Sequence, residues 1–200
     1  MNFWDENYSI DGYKYGTLPN EFLVEQSSSF PKNAKILLPG DGEGRNGVWL
    51  AEQGHQVTTL DSSKVGIEKA LAFAKTRGVT IKALLADLSE WEPESELADI
   101  VVLTYLHLEP TLRRKVHQNL AIALKPNGFL VLEAFHPNQL RFQSGGPKAL
   151  NMLYSIESLR SDFDKLLDEK FACECQIFLE EGVGHQGPAF VTRWVGHKVM

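Results

Sequence analysis

The sequence predicts an α/β domain in which helices flank a mainly parallel sheet, and three observations predict it. Short β-rich apolar runs alternate with longer stretches of helical period between residues 35 and 134. A glycine-rich turn follows the first of these runs directly and opens onto a helical stretch. The chain then closes with two strand-like segments joined by too few residues for a helical crossover, so these two must pair antiparallel.

The elements follow in order. An irregular aromatic segment with Trp4, Tyr8, Tyr13 and Tyr15 leads into a short helix over Asn20 to Ser28. Strands are expected at Lys35 to Pro39, Gln56 to Leu60, Thr80 to Leu85, Ile100 to Leu103 and Gly128 to Ala134. Helices are expected between them at Arg45 to Gln53, Lys64 to Thr76 and Thr111 to Leu124. In the last of these, Leu112, Val116, Leu120 and Leu124 recur every four residues and make one buried stripe, which leaves Arg113, Arg114 and Lys115 to face water. Residues His136 to Leu153 are rich in Gly, Pro, Asn and Gln and read as a long loop; Ser155 with Ser158 then opens a helix to about Asp168. Phe171 to Glu180 and Ala189 to Val199 are the terminal strands. Cys173 and Cys175 share one face of the first of them, as reduced thiols rather than a bridge.

The chain has 200 residues, 43% of them hydrophobic and 23% charged, enough for one core without disulfides or a structural metal. Disorder and fibrous repeats are excluded. Lys and Arg number 20 against 26 Asp and Glu, a net charge of −6, so no dominant phosphate-neutralising surface and no nucleic-acid partner are expected. The first thirty residues hold Trp4, Asp5, Glu6 and Asp11 and no long apolar run, so the expectation is a cytoplasmic protein without membrane attachment, a monomer or weak homodimer.

The most informative stretch is Pro39-Gly40-Asp41-Gly42-Glu43-Gly44-Arg45-Asn46. Three glycines at alternate positions let backbone approach a ligand where helix amides point outward. Asp61 ends the second strand, where an acid can take two ribose hydroxyls. Gly42 to Gly47 also satisfies the dinucleotide pattern G-x-G-x-x-G. The frame that starts directly after the strand, however, begins at Gly40 and has Arg45 in the last glycine position, where a bulky side chain obstructs the helix–strand packing of a dinucleotide fold. A nucleoside cofactor without a pyrophosphate remains, and S-adenosylmethionine is the obvious one.

Further short motifs lie along the chain in a fixed order: Trp4-Asp5-Glu6-Asn7-Tyr8, Tyr15-Gly16-Thr17-Leu18-Pro19-Asn20, the glycine loop, Ala86-Asp87, Lys125-Pro126-Asn127-Gly128, Gly145-Gly146-Pro147 and His185-Gln186-Gly187. With them the chain resembles class I S-adenosylmethionine-dependent methyltransferases, and is most similar to their tellurite-resistance and thiopurine-methyltransferase-like branch. The resemblance implies a seven-stranded Rossmann-like sheet of order 3-2-1-4-5-7-6 with strand 7 antiparallel; residues 1–30 read either as a lid or helical segment over the cofactor or as packing on the domain surface, and 136–153 as a substrate-side loop. It assigns Gly40, Gly42 and Gly44 to the methionine and ribose side of the cofactor, Asp61 with Ser62 to the ribose, Asp87 and Leu88 to the adenine, and Tyr105 to the same site. The family's acid two places before the first glycine is replaced by Leu38. Asp41 either supplies the missing carboxylate or is a solvent-exposed loop acid.

Methyl transfer from a sulfonium requires alignment and exclusion of water, not a metal. Substrates of such sheets bind at the carboxyl ends of the parallel strands, which brings His107, His136 and His185 to one side, with Arg141 on the loop beside them. Each imidazole is either a catalytic group or a loop side chain bonded to backbone. The reaction expected is methylation of a small, soft or anionic acceptor, such as a thiol or a tellurium or selenium oxyanion. The alternatives are a binding protein that keeps the cofactor without chemistry and, more distantly, a nicotinamide oxidoreductase.

Overall fold

In the computed structural model, which describes residues 3–199, β1 (Lys35–Pro39) lies inside the sheet, third of its seven strands, with four of its five residues buried. Parallel to it run β2 (Gln56–Asp61), β3 (Lys82–Leu85), β4 (Ala98–Thr104) and β5 (Leu124–Phe135). Two long strands, β6 (Asp168–Glu181) and β7 (His185–His197), form a hairpin, and β7 pairs antiparallel with β5. The order is β3-β2-β1-β4-β5-β7-β6, as the resemblance implies.

Period-two alternation places Leu37, Val101 and Leu103 on one face of the sheet and Ile36, Leu38, Ile100 and Val102 on the other. Under the first face lie α5 (Pro110–Ala123) and α6 (Ile156–Asp162), with Phe163 stacked on Trp194 at 4.8 Å between centroids. Under the second lie α3 (Arg45–Glu52) and α4 (Lys64–Thr76). Helix α2 (Glu21–Ser27) starts at Asn20, whose side chain accepts from Leu23 N, and α4 starts at Ser63, which accepts from Gly66 N. Among the described residues no helix is long and apolar enough to cross a membrane.

The structure corrects four local expectations. Residues Phe3–Tyr8 form a helix, α1, rather than an irregular segment. Helix α6 stops at Asp162 instead of near Asp168, because Phe163 turns into the core and Lys165 adopts a left-handed φ of 60°. The connection between the last two strands is mostly strand. Glu181 pairs with His185, leaving Gly182-Val183-Gly184 as the turn. Finally, Arg113 is buried, not solvated: its Nε lies 2.6 Å from Asp162 Oδ2 on α6, and His117 Nδ1 lies 2.9 Å from the same oxygen. Residues 136–153 contain two short 3₁₀ turns, Pro137–Arg141 and Leu150–Met152.

Candidate active site

At the carboxyl ends of the parallel strands a cavity of about 560 Å³ opens, with Gly40, Asp41, Asp61, Ser62, Asp87 and Leu88 in one part of its wall. Gly40 has φ 71°, and a Cβ there would stand 2.8 Å from Leu106 Cδ1, so the loop can pass behind that side chain only as glycine. Asp61 is 7% exposed. Its Oδ1 accepts from Ser63 N at 2.8 Å and its Oδ2 from Gly42 N at 2.9 Å, and the Ser62 amide bonds the same carboxylate, which leaves lone-pair capacity for one further donor. Burial raises its pKa, and those backbone bonds oppose the shift. Asp87 is exposed, and the Ser89 amide holds its carboxyl below the usual range.

Three loop residues have different surroundings from those their assignment implies. Gly42 does not line the cavity; the Tyr8 hydroxyl occupies the space a Cβ would take there. Gly44 faces α4, where a Cβ would meet Ala70 Cβ at 2.7 Å, so its bare backbone serves helix packing. Asp41 turns its carboxyl beneath the loop, where Oδ2 accepts from Gly47 N at 3.0 Å in the first turn of α3. It is no solvent-exposed loop acid. Burial pushes its pKa up to about 7, against the Gly47 bond and the charge of Arg45.

Helix α1 lies over this part of the cavity, with Trp4, Asn7 and Tyr8 in the wall. Asp5 accepts from Ser63 Oγ and Val65 N at the start of α4. Lys69 on α4 donates to the carbonyls of Tyr8, Ile10 and Gly12 and pairs with Glu43 at 2.8 Å. Glu43 in turn accepts from Lys14 N, so a buried acid of the glycine loop anchors the segment that covers it.

The remaining wall is largely aromatic: Tyr15, Tyr105, Phe135, His107 and His185, with Met152. Tyr105 has φ 53° and donates to Glu133 Oε1 at 2.6 Å, and Arg193 Nε meets Glu133 Oε2 at 2.5 Å, the pairing that strand order places opposite it. His107 Nε2 accepts from Phe135 N at 3.2 Å, so Nδ1 carries the proton it donates to Met152 O at 2.7 Å. Both ring nitrogens are spent, and burial pushes the pKa down to about 4. His185 Nδ1 lies 2.9 Å from Glu181 Oε2, and among the described residues no hydrogen bond engages its Nε2.

Of the four substrate-side residues, the structure brings His107 and His185 to the cavity and leaves His136 and Arg141 outside it. His136 packs its ring on Phe190 at 5.0 Å, accepts from Asn138 N, and places Nε2 3.5 Å from Glu174. Arg141 is exposed at the end of a 3₁₀ turn. Among the described residues the only Lys or Arg lining the cavity is Arg45, and Glu181 neutralises it at 2.9 Å. Sequence reasoning missed Glu181. Its signal was an acid four residues before His185 with two glycines between, which a tight hairpin folds back onto the imidazole.

Residues 36–128 match the model of a family described as a methyltransferase domain. The chain is 30% identical over 152 residues to ubiquinone biosynthesis O-methyltransferase of Rickettsia conorii, a match covering 75% of this chain and 52% of that protein. It is 32% identical over 128 residues to Probable thiol methyltransferase 2 of Arabidopsis thaliana, covering 62% and 54%. The chain thus spans about half the length of these curated relatives. N-methyltransferase NodS from Bradyrhizobium japonicum, solved with S-adenosyl-L-homocysteine, shares the fold with a TM-score of 0.74 over 98% of this chain and 96% of its own, at 19% identity. Residues 36–128 are thus similar to a methyltransferase domain, and the fold of the chain is the one seen in NodS.

Proposed function

We propose that the protein is an S-adenosylmethionine-dependent methyltransferase acting on a small, uncharged, soft acceptor, a thiol foremost. The observation that carries this reading is one cavity with two unlike parts: a glycine turn with Asp61 and Asp87 on one side, and an aromatic wall with a single available imidazole nitrogen on the other. The first part fits the adenosine half of the cofactor, because Asp61 keeps acceptor capacity for a ribose hydroxyl and Gly40 leaves the backbone uncovered. When bound, the cofactor supplies a methyl group already activated on a sulfonium.

The chain's own residues seat the acceptor, exclude water and take its proton. Tyr15, Tyr105 and Phe135 offer apolar faces, and α1 with the loop 136–153 closes the site, the latter through Gly146, Pro147 and Met152. Of the soft and anionic acceptors implied by the resemblance to the tellurite-resistance and thiopurine-type branch, neutral ones suit this wall. Arg45, the one cation among the described lining residues, is paired, and burial keeps His107 and His185 uncharged near neutral pH. A neutral acceptor gives up a proton as it gains the methyl group, and His185 Nε2 is the group in the wall able to accept it.

A second reading, cofactor binding without transfer, is favoured by Leu38 and by the burial of Asp41 beneath the loop, which leave the cofactor's methionine end without the usual acid. Calorimetric titration with S-adenosylmethionine, S-adenosylhomocysteine and NAD tests the site. Saturable one-to-one binding of both adenosyl ligands without NAD supports it, and binding of NAD alone returns the oxidoreductase.

A further inference from the structure

The position that sets this glycine loop apart, Arg45, is one end of a buried chain of charges that reaches the acceptor side. Arg45 Nη1 lies 2.9 Å from Glu181 Oε1, and the other oxygen of the same carboxylate lies 2.9 Å from His185 Nδ1. The three side chains are 8%, 12% and 6% exposed, so solvent does not screen the pairs. The imidazole is also fixed in plane: its centroid lies 4.4 Å from that of Tyr15, 4.7 Å from Tyr105 and 5.1 Å from Phe135. A Cβ on Gly145 would stand 2.5 Å from His185 Cδ2 and 3.1 Å from its Nε2, so the loop passes this edge of the ring only without a side chain, and no hydrogen bond among the described residues engages Nε2.

We infer that Glu181 is a positioning residue for His185, locking its proton on Nδ1 so that Nε2 presents a lone pair to the acceptor, and that Arg45 holds Glu181 in place from the cofactor loop. The inference rests on the methyltransferase reading only for what Nε2 does. A free neutral imidazole has no such fixed tautomer, whereas a carboxylate can only accept, so its partner nitrogen must carry the hydrogen. Arg45 stands at the first position of α3, directly after Gly44, so the same turn that shapes the cofactor side anchors the imidazole's support. This accounts for an arginine where a dinucleotide loop needs glycine.

The charges facing His185 come from several elements: Glu181 on β6, Arg45 on α3, Glu133 on β5, and His107 after β4, with the Tyr15 and Tyr105 rings between them. Burial lowers the His185 pKa and the Glu181 carboxylate opposes that, while Arg45 pushes it further down. Burial would raise Glu181 itself, yet His185 and Arg45 outweigh it and hold the carboxyl below the ordinary range. Glu181→Gln should therefore lower the imidazole pKa by about one unit or more. Arg45→Met should raise it, the opposite sign.

The experiment is ¹⁵N NMR of the histidine side chains across a pH titration, beside steady-state kinetics and S-adenosylhomocysteine binding. Wild-type His185 is expected in the Nδ1–H form. Glu181→Gln should move the imidazole titration and the acidic limb of the rate profile together toward lower pH, cut kcat at least tenfold, and leave the S-adenosylhomocysteine Kd within twofold. Glu181→Asp should recover part of kcat. An Nε2–H tautomer in the wild type overturns the inference without any variant, as does an imidazole titration unmoved in folded Glu181→Gln. If instead the titration moves as expected while His185→Ala keeps full activity, the positioning stands and the proton-acceptor role of His185 fails.

Discussion

Replacing Asp61 with asparagine preserves shape while removing one acceptor oxygen. In the wild type the carboxylate takes three backbone amides, Ser63 at 2.8 Å, Gly42 at 2.9 Å and Ser62, and keeps capacity for one ribose hydroxyl. In the variant an amide NH₂ faces at least one of those N–H groups, donor against donor. The charge-assisted bond to the ligand is lost, worth about 1.5–3 kcal/mol. At about 1.4 kcal/mol per decade, the S-adenosylhomocysteine Kd should rise about 10- to 150-fold. Stability should fall by about 1–3 kcal/mol for the stranded buried amide. Calorimetric titration, with urea unfolding to show the variant folded, measures both. A folded Asp61→Asn protein whose Kd lies within threefold of wild type would refute the ribose assignment. Alanine is the poorer choice, since it strands all the amides at once.

Three further outcomes follow from other parts of the structure. The Asp41 pKa is about 7 when folded against 3.8 as its ordinary value, so the folded state binds its proton more tightly. The stability this contributes is full below about pH 4 and is lost as pH rises through about 7, at about 1.4 kcal/mol per unit. Asp41→Asn should remove that slope; urea unfolding at pH 5 and pH 8 showing equal slopes in both proteins contradicts it. Asp162→Ala leaves Arg113 and His117 buried without their carboxylate and should cost about 3–5 kcal/mol in denaturant unfolding, a loss under 1 kcal/mol being incompatible with the buried network. His136→Ala and Arg141→Ala, both outside the cavity wall, should leave kcat/KM within twofold of wild type, and a tenfold fall in either places that residue in the acceptor's path.

The sheet was legible because its strands announce themselves locally. Lys35–Pro39 and Gln56–Asp61 are β-rich and bounded by turn residues, and strand order follows from the motif resemblance. Helix α1 was not legible, since six residues with Phe3 and Trp4 exposed carry no helical period, and what fixes them is the bonding of Asp5 to the start of α4, some sixty positions away. Arg113 read as solvated for a similar reason. Its partner Asp162 lies 49 residues later, and periodicity reports a face, not a partner. For the site, strand ends gave the right rim but not orientation. His107 and His136 both follow parallel strands, yet backbone groups of Phe135 and Met152 occupy the first, and the second turns onto Phe190. Glu181 stayed hidden because residues 181–188 read as an irregular connection in which no pairing is defined, whereas the strands continue to a three-residue turn that sets Glu181 against His185.

The central claim is that the chain moves a methyl group, and incubation with S-adenosylmethionine labelled in its methyl carbon tests it most directly. The acceptors to offer are small neutral thiols, beside phenols and anionic oxyanions at equal concentration. The account predicts label in the thiol products, S-adenosylhomocysteine in equal amount, and loss of both in His185→Ala. Label in none of the acceptors, from a protein that binds S-adenosylmethionine with saturation, would contradict it and leave a cofactor-binding protein.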